Sequence, residues 1–235
     1  MISEDLHRIW DNLGRRYKSH PWHGISAGKD APEVVTAFIE ITPTDNVKYE
    51  IDKESGYRIV DRPQKFSNIV PALYGFIPQT YCGEGIAALC MVKTGKRDIT
   101  GDLDPLDILV LTERNITQGD LLVPAIPIGG FRMIDGGEAD DKIIAVLKGD
   151  EIYSKWQDLK DCPDNIVDRL KHYFLTYKEM PGQGNRKTEI AAVYGKKEAH
   201  QVIKKSQEDY MNSYGNIEKN MSDSVIDALQ NNKII

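Results

Sequence analysis

The chain has 235 residues, 40% of them hydrophobic, which suffices for one substantial core and makes a single domain over 1–235 the simplest organisation. Its 36 acidic and 30 basic residues leave a net charge of -6, which argues against the broad basic surface of a nucleic-acid binder. The longest unbroken apolar run, 86–92, is far too short to cross a bilayer and no apolar leader opens the chain, so a cytoplasmic protein without a membrane partner is expected.

Residues 34–41 are β-rich, with Ala37, Ile39 and Ile41 on one face and Phe38 and Glu40 on the other. In 47–51 the apolar residues alternate with Lys48 and Glu50, which puts an ammonium and a carboxylate side by side. A turn over 52–56 leads to a returning strand over 57–60, with Asp61 and Arg62 just beyond it and Pro63 interrupting the ladder. Residues 81–100 lack periodicity, mix Gly, Lys and Arg, and read as a long loop. Cys82, Cys90 and Cys162 have no CxxC spacing, so they read as free or buried thiols.

Further strands are predicted over 106–111, 121–128 and 143–147, and five or so short strands suggest a barrel. Ile166, Val167, Leu170, Tyr173, Phe174 and Tyr177 recur at helical spacing, which predicts a helix over about 163–180, with Pro163 in its first turn. Ala199, Val202, Ile203 and Tyr210 predict a second over 196–212; residues 213–235 read as a polar tail. The expected organisation is thus a core of about 32–180, a C-terminal helix and that tail. No internal repeat is present.

Asp102, Asp104 and Asp107 lie within Gly-Asp-Leu-Asp-Pro-Leu-Asp, ahead of an apolar strand. Like charges this close repel unless a cation lies between them, so the cluster suits a hard divalent ion; taken alone, a water-facing acidic turn fits equally well. Asp135, Glu138, Asp140 and Asp141, followed by Lys142, form a second cluster, which by itself reads as a solvated loop. Neither segment has the closing Glu or sixth-position Gly of an EF-hand, and no phosphate loop, dinucleotide fingerprint or HExxH is present. His20 and His23 read as a surface patch.

The Asp-Leu-Asp-Pro-Leu-Asp stretch resembles the signature of the family I soluble inorganic pyrophosphatases. Glu40, Lys48, Glu50, Arg62, Tyr74, Asp135, Asp140, Lys142, Tyr177 and Lys178 match that family's pattern in order, over roughly 32–178, and the segment 61–68 with the stretch 81–100 looks like a chlamydial-type branch. The resemblance implies an α+β, mainly β fold: a five-stranded OB-like barrel flanked by helices, with the site at its mouth. It implies Mg²⁺, with Mn²⁺ or another divalent ion as a substitute, held by Asp102, Asp107 and Asp140 and completed by Asp135, Glu40 and Glu50. Asp104 would be the general base, while Lys48, Arg62, Tyr74, Lys142, Tyr177 and Lys178 would bind pyrophosphate. A homo-oligomer is implied as well.

Read in isolation, Lys48 beside Glu50 is an ordinary ion pair, Arg62 a solvated turn residue, Tyr177 a core aromatic, and Lys142 and Lys178 surface lysines. One departure stands out: Val70 occupies a position where the family commonly has a tyrosine, which removes one phosphate-side hydrogen bond. Two other functions compete. Single-stranded nucleic-acid binding on an OB-like sheet is disfavoured by the acidic balance, and a nucleotide phosphohydrolase by the crowding of Lys, Arg and Tyr around a compact substrate.

Overall fold

The computed structural model describes residues 14–178 and 187–231. Among the described residues there are ten strands: β1 (Val35–Ile41), β2 (Val47–Ile51), β3 (Arg58–Pro63), β4 (Leu73–Phe76), β5 (Thr100–Gly101), β6 (Asp107–Leu111), β7 (Leu121–Asp135), β8 (Glu138–Ala139), β9 (Lys142–Leu147) and β10 (Thr188–Gly195). The helices are α1 (Glu84–Thr94), α2 (Asp164–Thr176), α3 (Lys196–Tyr214) and α4 (Ile217–Asn231).

In the main sheet β1 pairs with β4, β4 with β6, β6 with β9 and β9 with β7, and β7 returns to pair with β1. Five strands therefore form a closed ring, which leaves no free edge among them. The short β5 and β8 extend it, and β10 adds antiparallel to β7. The expected mainly β fold with flanking helices is what forms.

Alternation within the central strands feeds two cores. Ile108, Val110, Ile143 and Ala145 pack with α1 and α3 residues such as Ile86, Val202 and Ile203. Their neighbours Leu109, Leu111, Ile144 and Val146 face the other way, against Leu170 and Phe174 of α2. Buried on both faces, these strands read as continuous apolar runs rather than as alternating patterns.

Several expectations need correction. Residues 81–100 are not a loop: α1 spans most of the segment, burying Ile86, Ala87 and Cys90 while Val92 stays exposed. Its apolar residues run nearly all round, so there was no stripe to detect. β7 continues to Asp135 rather than stopping at 128, because Gly129 and Gly130 let β10 approach closely. A Cβ on Gly129 would lie 2.4 Å from the Tyr194 carbonyl oxygen. β4 and β10 were not foreseen, and β2 and β3 form a separate two-stranded sheet. The second predicted helix runs on to Tyr214, and α4 occupies most of the expected polar tail. α2 ends at Thr176, short of the predicted 180, with Tyr177 as its C-cap; residues 179–180 lie outside the described residues.

Candidate active site

β6 and β9 run parallel, and their first residues, Asp107 and Lys142, are register partners, so strand pairing sets a carboxylate beside an ammonium at one end of the ring. β4 lies antiparallel on the other side of β6 and brings the Tyr74 hydroxyl to Asp107 Oδ2 at 2.6 Å. Lys142 Nζ contacts both Asp107 and Asp140 and is only 3% exposed. Alternation past Asp140 turns Asp141 away from this group, into a buried ion pair with Arg132 at 3.0 Å and a hydrogen bond from Tyr194 at 3.0 Å. Lys178, just past α2, pairs with Asp135, whose other oxygen accepts the Thr188 hydroxyl at 2.8 Å.

From β1, Glu40 accepts the backbone N–H of Ile51 at 2.8 Å and so ties β2 to the ring. On β2, Lys48 pairs with Glu50 and, at 3.2 Å, with Asp61. Asp102 accepts the backbone N–H of Asp104 at 3.0 Å, which folds the acidic loop back on itself. The Asp104 carboxylate pairs with Lys53.

These residues line one open cleft of ≈ 220 Å³. Lys48, Glu40, Glu50, Tyr74, Asp102, Asp104, Asp107, Asp135, Asp140, Lys142, Tyr177 and Lys178 are all in its wall, so residues far apart in sequence converge at one place. Arg62 is not in that wall; it donates to Asp61, the partner of Lys48, and stands one ion pair back. Lys53 and Glu138 also line the cleft. Lys53 carried no signal beyond being a charged turn residue. Val70 is fully buried among Leu109, Phe131 and Tyr173, as a core residue. His20 and His23 are not a surface patch: His23 stacks on Trp22 and bonds to the Tyr210 hydroxyl at 2.9 Å.

The crowding leaves an electrostatic imprint. Burial, and next the charge of Asp140, push Asp102 up to about 9. Burial and the nearby Asp107 push Glu40 up to about 8. Burial alone would lower Lys142, yet Asp107 and Asp140 raise it well above its usual value, so it stays an ammonium. Burial, then Asp107, raise Tyr74 well above its usual range, which keeps its hydroxyl a donor. Asp135 is held below the ordinary carboxylate value: burial opposes this, and the Lys178 and Thr188 hydrogen bonds outweigh it.

Among the described residues no three acidic, histidine or cysteine side chains stand together in coordinating positions, because lysine ammoniums lie between the carboxylates. The donor set is nonetheless all oxygen, anionic and convergent, and two of its members are pushed toward protonation by burial and next by neighbouring carboxylates. That chemistry fits a hard divalent ion.

Comparison with known proteins agrees with this chemistry. A family model described as inorganic pyrophosphatase matches residues 37–211. The chain is 52% identical over 199 residues to an inorganic pyrophosphatase of Chlamydia muridarum, covering 83% of this chain and 95% of that protein. Among solved structures, the inorganic pyrophosphatase of Thermus thermophilus aligns with a TM-score of 0.68 at 27% identity, covering 82% of this chain and 98% of that one. The Helicobacter pylori enzyme gives 0.65 at 32% identity, covering 80% and 98%. With the family model spanning most of the chain and the acidic cleft lying inside the matched region, the chain belongs to the inorganic pyrophosphatase family, of chlamydial type, whose members hydrolyse pyrophosphate.

Proposed function

We propose that the cleft hydrolyses pyrophosphate to two phosphates by Mg²⁺-assisted attack of water, with Asp104 as general base. The observation that supports this most is a single cleft in which eight carboxylates stand among four lysines. Asp102, Asp107 and Asp140 would hold the tightest ion, and Asp135, Glu40 and Glu50 would complete the sites of ions arriving with substrate. When bound, such ions supply Lewis acidity toward phosphoryl oxygens and ease deprotonation of water near neutral pH.

The chain's own groups do the rest. Asp104, half exposed at the cleft edge, accepts the proton of the attacking water. Lys48, Lys142 and Lys178 are each paired with carboxylates, so each ammonium exchanges a carboxylate partner for a phosphate oxygen when the anion enters. They balance the charge that builds on the leaving phosphate. Tyr74 and Tyr177 donate hydrogen bonds without adding charge, and Arg62, outside the cleft wall and paired with Asp61, adds a guanidinium behind Lys48.

The buried free thiols of Cys82, Cys90 and Cys162 support a reducing, cytoplasmic setting. We also propose a homo-oligomer, which the exposed Tyr57, Val60 and Phe66 would help to bury. Light scattering would check this; a monomer at micromolar concentration would remove it.

The function is tested by phosphate release from pyrophosphate with Mg²⁺, with EDTA, and with ATP or p-nitrophenyl phosphate as substrate. Fast Mg²⁺-dependent release from pyrophosphate alone is expected. Equal rates on ATP would make the site a general phosphohydrolase instead.

A further inference from the structure

Lys53 is a cleft residue to which the proposed chemistry gives no role. It sits in the turn joining β2 to β3, and that turn is unusually constrained. Its Asp52 carboxylate accepts the Ser55 backbone N–H at 2.8 Å, and the Gly56 N–H reaches the Asp52 carbonyl at 2.8 Å. Gly56 has φ +71, and a Cβ there would lie 2.7 Å from Pro21 and 2.8 Å from His20, so the turn is pressed against residues 20–21.

His20 completes the clasp. Its Nδ1 accepts the Trp22 backbone N–H at 3.1 Å, which leaves the ring hydrogen on Nε2, 3.2 Å from the Lys53 carbonyl oxygen that accepts it. Trp22 is in turn 2% exposed and donates from Nε1 to the Thr80 carbonyl at 2.8 Å. The Thr80 hydroxyl oxygen accepts the Leu106 N–H at 2.9 Å, and the Cys82 N–H donates to the Asp104 carbonyl at 2.9 Å. One anchor, the segment 80–82, is thus bonded on one side to the residues that hold Lys53 and on the other to the loop that carries Asp104.

The Lys53 ammonium meets the Asp104 carboxylate, which makes no other ion pair among the described residues. Lys48, Lys142 and Lys178 pair instead with Glu50, Asp61, Asp107, Asp140 and Asp135. A half-exposed aspartate with no such partner would be free to rotate, whereas a base must sit within hydrogen-bond reach of the water it deprotonates.

We propose that Lys53 is a positioning residue for the hydrolysis, its ammonium on a clasped turn holding the Asp104 carboxylate in the orientation from which it takes a proton. The inference rests on Asp104 being the base. Lys53→Met should lower kcat about tenfold with KM for pyrophosphate changed less than twofold, since a small misplacement of a reacting group costs rate rather than binding. Lys53→Arg should recover most of the loss, and Mg²⁺ affinity by calorimetry should match the unmodified protein in both. In an Asp104→Asn background, Lys53→Met should cost nothing further. A rise in KM at constant kcat would make Lys53 a substrate-binding residue and overturn the inference, as would a full tenfold cost in the Asp104→Asn background or a loss of Mg²⁺ affinity. Unimpaired turnover by Asp104→Asn alone would instead remove the base assignment, and this inference with it. Thermal melting of Lys53→Met guards against misfolding; should it unfold, His20→Gln, which loosens the turn without touching the cleft, is expected to lower kcat in the same direction, and an unchanged kcat there would count against the clasp.

Discussion

Lys142 lies between Asp107 and Asp140, the point in the cleft where a positive charge is most needed, and it is almost wholly buried there. Removing its ammonium leaves two carboxylates without compensation in a low-dielectric place, which costs more than the pair itself contributes. Lys142→Met is therefore expected to lose about 3 kcal/mol or more of metal-free stability in urea unfolding. Mg²⁺ should restore more stability to this variant than to the unmodified protein; an equal effect on both would mean that metal and ammonium do not serve the same carboxylates. The two neighbouring aspartates should separate by role. Asp104→Asn is expected to cut turnover by about a hundredfold or more while leaving Mg²⁺ binding by calorimetry intact. Asp107→Asn should weaken Mg²⁺ binding as well, and the opposite pattern would reverse the assignments.

Elements are locked to one another here by single buried acids. Asp209 of α3 accepts the backbone N–H groups of Gly83, Gly85 and Ile86 at 3.1, 3.1 and 2.9 Å, so the N-terminus of α1 is capped by a residue more than a hundred positions away. No side chain within α1 caps it. Asp209→Ala would strand these donors and is expected to cost about 1–3 kcal/mol, read by urea unfolding, with faster amide exchange at 83–86. Asp209→Asn, which keeps one acceptor oxygen, should lose less; equal losses would mean that charge rather than bonding carries the effect. The same long-range capping explains why α1 could not be found in the sequence: its cap signal lies in another helix, and its apolar residues make no stripe. The acidic loop, β1, β2 and α2 were legible because each carries its pattern locally.

Across the whole molecule, the perturbed groups predict opposite pH trends. His23, held down to about 4 chiefly by burial and next by His20, binds fewer protons folded than unfolded. Its contribution to stability is present above its ordinary value of 6.5 and is lost as pH falls toward 4. Glu40 and Asp102, pushed up to about 8 and about 9, bind more protons folded than unfolded. Their contribution is present at acid pH and is lost as pH rises through 8 to 9. Metal-free protein in EDTA should therefore melt at lower temperature at pH 9 than at pH 6.5, and saturating Mg²⁺ should flatten that slope by pairing the carboxylates. A metal-free melting temperature that stays constant from 6.5 to 9 would refute the crowding of these carboxylates.

The order of the charged residues along the chain, and the resemblance it carries, was sufficient to name the chemistry, because Asp102, Asp104, Asp107, Asp140 and Lys142 each lie at the mouth of a strand whose pattern is local. Sequence order could not decide which of two adjacent acids faces the cleft, that Arg62 stands behind Lys48, or that Lys53 meets Asp104. Those outcomes depend on the register of β6 on β9 and of β2 on β3, and on the packing of the turn that carries Lys53 against the loop that carries Asp104. A side chain's partner in a closed sheet is set by the strand beside it in space, and for most of these residues that strand is not the next one in the chain.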